Sequence, residues 1–318
     1  TIKYDGTSDQ TIFNTTYNHL IIDQNSIKSA SANLDVDGNL TIDNSATLDM
    51  SATNYNLTLD GNYTLTSGTF TSRTGTVTFS GAGAQSLTPG SSSFYNLSTS
   101  TDNTDLTLQG DITVANDLTI AGNTTLDVGS NRAITIGGNW SNSGTFTDQA
   151  GTVTFNGGGA QTVTSGGSDF YNLTTTGAST AVTLADAMTI ANDLSIASSS
   201  SLDVSGSNFS IGIKGNWSNS ATFVDQAGTV TFDGGDAQTV TSGGSDFYNL
   251  TTTGALTVVT LADAMTIAND LSIASSSSLD VSGSNYSIAI KGNCSNSATF
   301  VDEAGKVTVN GGGSQTVT

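Results

Sequence analysis

Twenty-seven acidic residues stand against seven lysines and arginines in this chain of 318 residues, for a formal charge of -20. An acidic excess of this kind suits three chemistries: a converging carboxylate pair for glycoside cleavage, a divalent-cation loop, or plain solvation of a surface. Bond cleavage by carboxylates is usually assisted by Arg, Lys or His close by. Arg73 and Arg132 are isolated in the sequence, and Lys214 and Lys291 are equivalents in a repeated text. The acids repeat too: Asp127, Asp203 and Asp280 share one place, Asp193 and Asp270 another. A residue that returns in each copy reads as structural, so the expectation is a protein that is not an enzyme, with no catalytic residue and no cofactor. Two short acidic turns are the candidates for calcium: Asp233 with Asp236, and Asp35 with Asp37. Neither spacing matches an EF-hand or a glycine-rich nonapeptide loop, and a solvated turn is the leading reading. His19 is the only histidine and Cys294 the only cysteine. One imidazole makes no metal site, and one thiol closes no disulfide within the chain.

Carbohydrate could enter in two ways. Asn-x-Ser/Thr sequons include those at Asn96, Asn123, Asn139, Asn172, Asn216 and Asn249. Turn Asn followed by strand Thr produces such triplets by composition alone, and glycosylation also requires a secreted location. Trp140 and Trp217 could stack sugar rings, but a packed corner is the preferred reading. Nucleic acid is excluded as a partner, because binding it relies on clustered cations, and so are anionic membranes. No run of 18 apolar residues exists, so no helical membrane span is expected. The sequence opens on Thr1 without a Met or a signal peptide, as an excerpt or a processed mature chain would.

The elements that carry these residues are repeats. Residues 151–173 read GTVTFNGGGAQTVTSGGSDFYNL and return almost unchanged at 228–250. A looser copy lies at 75–97, a worn one at 1–12, and a shortened one at 305–318. Tyr17, Tyr95, Tyr171 and Tyr248 mark copies about 77 residues long. The chain therefore reads as a single elongated array over 1–318, with units at 1–15 (partial), 16–93, 94–169, 170–246 and 247–318. Inside each unit apolar residues alternate with polar ones, as in Leu194/Ile196, Leu202/Val204 and Val230/Phe232, which is strand periodicity. Gly, Ser, Asn and Asp clusters separate the strands. The expected fold is all-β: a parallel β-helix (β-solenoid) of about 17 coils, stacked at about 4.8 Å each into a rod of roughly 80 Å. The alternative is a string of small β-sandwich domains, one per repeat.

Residues 136–163 read IGGNWSNSGTFTDQAGTVTFNGGGAQTV and resemble a repeat of large secreted bacterial surface proteins, the β-helical adhesins and filamentous-haemagglutinin-type exoproteins. Later copies match through Gly215-Asn216-Trp217 and Gly228-Thr229-Val230-Thr231-Phe232. The first departs with Gly61-Asn62-Tyr63, and the fourth at Cys294, Lys306 and Val309. The resemblance implies an extracellular or cell-surface location and a fibre-forming or adhesive role; it brings no catalytic residues. The expected function is a non-catalytic structural subunit of an extracellular fibre or cell-surface filament. Its partner would be itself, as a head-to-tail homopolymer joined through exposed end coils. The alternative is a stalk segment of a larger adhesin that binds surfaces or glycans.

Overall fold

In a computed structural model, which describes residues 1–100, 103–302 and 304–318, the chain is an all-β parallel solenoid of about 14 turns. It divides into two compact units, Thr1–Val153 and Thr154–Thr318. Every strand pairing within them is parallel among the described residues, so the sandwich alternative, which needs antiparallel hairpins, does not hold.

Each coil has three sides, because a strand pairs with the third strand after it. In the first unit Ile2–Tyr4 lies on Leu20–Ile22, which lies on Leu40–Ile42, and then Tyr63–Leu65 follows. A second side stacks Gln10–Ile12, Ile27–Ala30, Ala46–Asp49 and Gly68–Thr71. The third runs from Thr16–Tyr17 through Leu34–Val36, Leu57–Leu59, Thr76–Phe79, Asn96–Thr99 and Leu118–Ile120 to Trp140–Asn142. In the second unit one side carries Leu194–Ile196, Trp217–Asn219 and Ala237–Thr241, and another carries Ile211–Ile213, Thr229–Phe232, Asn249–Thr252, Leu271–Ile273 and Cys294–Asn296. Its third side includes Met265–Ile267, Ile288–Ile290 and Val307–Val309.

Alternation decides which side chains enter. Along the third side of the first unit, Leu34, Leu57, Val77, Leu97, Leu118 and Trp140 stack in register and are all buried. One residue further along each strand, Thr58, Thr78, Ser98, Thr119 and Ser141 form an outward column of hydroxyls. Like thus stacks on like, which lets every interior backbone N–H and C=O join a ladder while a slender apolar core fills with Leu, Ile, Val and Phe.

The coil count expected from sequence was too high. Steps in register range from 18 residues, Ile2 to Leu20, to 24, Tyr63 to Leu87. The corners absorb the extra residues. Asn54, Asn131, Asn208 and Asn285 turn them in the left-handed region, with φ of 62°, 60°, 59° and 56°. Asparagine tolerates that conformation because its short amide can hydrogen-bond locally. Each amide oxygen also accepts a backbone N–H from the coil above: Thr74, Ala150, Ala227 and Ala304 respectively.

Candidate functional site

The residues with chemical potential do not converge. Among the described residues no three His, Cys, Asp or Glu side chains gather where a metal ion could be held. Asp35 and Asp37 are exposed, and Asp35 accepts the Thr16 hydroxyl at 3.1 Å. Asp236 is exposed and Asp233 half-buried, on the corner whose Gly234 and Gly235 N–H groups point to Gln238 and Thr257 instead. The repeated acids are spent on backbone. Asp193 Oδ1 accepts both the N–H and the side-chain amide of Asn216, at 2.8 and 3.0 Å, and Asp270 does the same for Asn293. Asp186 takes the N–H groups of Ser165 and Gly166, a clamp repeated by Asp263 on Ser242 and Gly243.

These contacts join into a polar corner ladder. In the second unit Asn249 Nδ2 donates to Thr229 Oγ1; its Oδ1 accepts from Asn269 Nδ2 and Asp270 N–H; Asp270 holds Asn293, whose Oδ1 accepts the Thr316 N–H. In the first unit His19 takes the asparagine's place: its Nδ1 accepts the Asn39 N–H at 2.9 Å, Asn39 accepts from Asn62, and Asn62 from Ser86. The sequon residues Asn96, Asn139, Asn172, Asn216 and Asn249 all belong to such ladders, so their amides are engaged coil to coil. Asn123 differs: it is exposed, on a left-handed turn with φ of 60°.

Trp140 and Trp217 do not lie at corners. Each begins a strand and points into the core, where alternation buries it. Trp217 meets Phe223 and Phe247 edge-on, at 4.8 and 5.1 Å between ring centres. They offer no face to a sugar. Cys294 stands at the same place in the next copy, and there the smaller side chain borders an open apolar cavity of about 250 Å³ lined by Leu271, Ile290, Phe300 and Val317. Burial raises the Cys294 thiol above its usual pKa, which holds it in the unreactive protonated form.

Several polar groups important to the core are invisible to pattern reading. Gln238 is buried, with its Nε2 donating to the carbonyls of Ile213 and Gly215 at 3.1 and 2.7 Å and its Oε1 accepting the Gly234 N–H. Gln85 and Gln315 repeat this reach into the preceding coil. Thr175 and Ser200, and Thr252 and Ser277, pair their hydroxyls inside the core at 2.8 and 2.9 Å. Lys28 is wholly buried in the first unit, with Nζ donating to the Gly6 carbonyl at 2.9 Å and to Ser26 Oγ, and desolvation lowers its pKa. The recurrence of Gln four residues after the corner Gly, as in Gly81/Gln85, Gly234/Gln238 and Gly311/Gln315, was the one available signal.

Comparison with protein-family models, with curated proteins and with solved structures yielded no match. No helix among the described residues is long and apolar enough to cross a membrane.

What the geometry offers outside the core is edge. Ile2–Tyr4, Gln10–Ile12 and Thr16–Tyr17 stand at the ends of their sheets in the first unit, with Ile2 and Phe13 exposed nearby. Thr299–Val301 and Val307–Val309 stand at sheet ends in the second, where Val307, Val309 and Val317 are exposed, while Cys294–Asn296 carries residues 316–318, its Cys294 and Asn296 N–H groups donating to the Thr316 and Thr318 carbonyls.

Proposed function

We propose that this protein is a non-catalytic structural subunit of an extracellular fibre or cell-surface filament, in which copies stack head to tail through their end coils. The observation that carries the reading is the uniform parallel ladder: a coil offers the next coil the same kind of edge that it receives. A sheet edge is a template for pairing, and a head-to-tail contact between unlike ends propagates instead of closing. The outward hydroxyl columns and the charge of -20 favour solvated sides, which directs association to the ends. Acids used as backbone acceptors, or held in isolated ion pairs such as Asp23 with Lys3 and Asp49 with Arg73, favour a structural role for them over a catalytic one. The resemblance to secreted adhesin repeats supports the extracellular location.

The second reading is a stalk segment of a larger adhesin, in which further coils of the same polypeptide cover these edges. The same ladder favours it, since any coil can continue the stack. Negative-stain microscopy of the purified chain over a concentration series, with and without calcium, separates the two. Filaments that lengthen with concentration are the expected result. Separate particles of one size at every concentration would sink the filament reading and leave the stalk.

A further inference from the structure

The repeat and the coil are out of phase. In the first unit Tyr63 and Trp140 occupy the same place in successive copies, 77 residues apart. Tyr63 lies in the stack above Leu40, on the side begun by Ile2–Tyr4. Trp140 lies above Leu118, on the side begun by Thr16–Tyr17. The second unit repeats the shift independently. Trp217 pairs with Leu194 and Val240 on one side, while its equivalent Cys294 pairs with Leu271 on another. The cause is a count. From Tyr63–Leu65 to Trp140–Asn142 the chain passes eleven strand positions, if Phe94, which bridges to Val114, is counted as one. From Trp217–Asn219 to Cys294–Asn296 it again passes eleven, with Phe247 bridging to Ile267. Eleven is not a multiple of three.

We infer that the 77-residue repeat is an indexing module: gaining or losing one whole copy leaves every strand with the same kind of neighbour, yet turns all that follows by one side of the coil. The ladder tolerates this because pairing always joins a strand to the third after it, whichever side that falls on. Asn249–Thr252 lies on Thr229–Phe232, with Thr251 opposite Thr231. Removal of residues 170–246 would present it instead with Thr152–Phe155, which also reads Thr-Val-Thr-Phe, and would join Asp169 to Phe247 just as Asp246 joins it now. Copy number would thus set which side a given surface feature occupies, and a partner that reads one side would meet a repeat motif once in three copies. The inference concerns one chain in dilute solution and holds whether or not copies assemble.

The test uses two full-chain variants in a Cys294→Ser background, one lacking residues 170–246 and one with that segment duplicated. Both are expected to melt cooperatively with strand-type circular dichroism. Pyrene maleimide on Thr154→Cys and Thr251→Cys reads the register, since both native side chains are partly exposed. An excimer band is expected in the shortened chain and not in the chain of natural length carrying the same labels. Loss of cooperative melting in either variant, or a folded shortened chain that shows monomer emission only, overturns the inference.

Discussion

Gln238 is buried and reaches down one coil, donating from Nε2 to the Gly215 carbonyl at 2.7 Å. The same amide holds the Ile213 carbonyl and the Gly234 N–H. Gln238→Leu keeps the bulk but leaves the Gly215 carbonyl and the Gly234 N–H without this partner, while the Ile213 carbonyl keeps the Asp233 N–H. Each such loss costs about 1–3 kcal/mol, so the substitution is expected to destabilise by about 2 kcal/mol or more. Urea unfolding followed by circular dichroism measures it; an unchanged midpoint would show that the clamp is idle.

Tyr63 presents the opposite case. Its ring packs edge-on between Phe70 and Phe94, but its hydroxyl is buried with no hydrogen-bond partner, and burial drives its pKa well up. Trp140 holds the equivalent place in the next copy. Tyr63→Phe removes the stranded hydroxyl and keeps the ring, and is expected to stabilise the fold by about 1 kcal/mol. A fall in the thermal midpoint would count against this account.

Leu256 sits at φ of 69° and is 78% exposed, where the preceding copy has Ser179 at φ of 66°. A left-handed conformation costs an ordinary side chain about 1–2 kcal/mol, and an exposed leucine gains little burial in return. Leu256→Asn is therefore expected to raise stability by up to about 1 kcal/mol, read as a shift in the denaturation midpoint. Destabilisation would mean that the side chain has an apolar partner.

Lys28 makes stability depend on alkaline pH. Burial lowers its folded pKa below the ordinary 10.5, and nearby Asp9 and Asp23 only partly offset this. Between the folded pKa and 10.5 the unfolded chain binds more protons, so stability rises with pH through that window. Below it, the cost of burying the ammonium is present in full. Lys28→Met is expected to lie within about 1 kcal/mol of the parent at neutral pH and to lose the alkaline rise. Parallel slopes for the two proteins as pH rises toward 10.5 would refute the assignment.

Asp23 works at the acid end. The Lys3 ammonium, the Asn44 amide and the Gln24 N–H hold its carboxyl at about 2, below the ordinary 3.8. Its stabilising effect is present above 3.8 and disappears as pH falls toward about 2. Lys3→Ala removes the largest cause, so the protonation of Asp23, followed by carboxyl NMR, is expected to move toward 3.8. An unmoved titration would place the cause in Asn44 and the backbone.

Much of the fold was legible in the residues. Leu194/Ile196 and Val230/Phe232 announce strands whose apolar face turns inward, and near-identical text a few coils later announces stacking. The polar corners at Asn131 and Asn208 announce turns. The surroundings of individual side chains were less legible. The packed corner expected for Trp217 is packed, but the residue opens a strand and faces the core. The sequons read as turn Asn followed by strand Thr, and pattern alone gives no sign that Asn216 and Asn249 are tied into ladders by partners 23 and 20 residues away. Gln238 gave no signal beyond its spacing from Gly234.

By itself the sequence determined what is local: strand character, the inward and outward faces, the polar turns between strands, the acidic and hydroxyl-rich exterior, and the identity of the repeating text. Only the tertiary structure decided the three sides, the variable coil of 18 to 24 residues, and the side on which Tyr63 and Trp140 each fall. Alternation acts between neighbours along the chain, so it can be read from the chain. Register acts between segments about 20 residues apart, joined by corners of unequal length, and it is set by which strand each one meets.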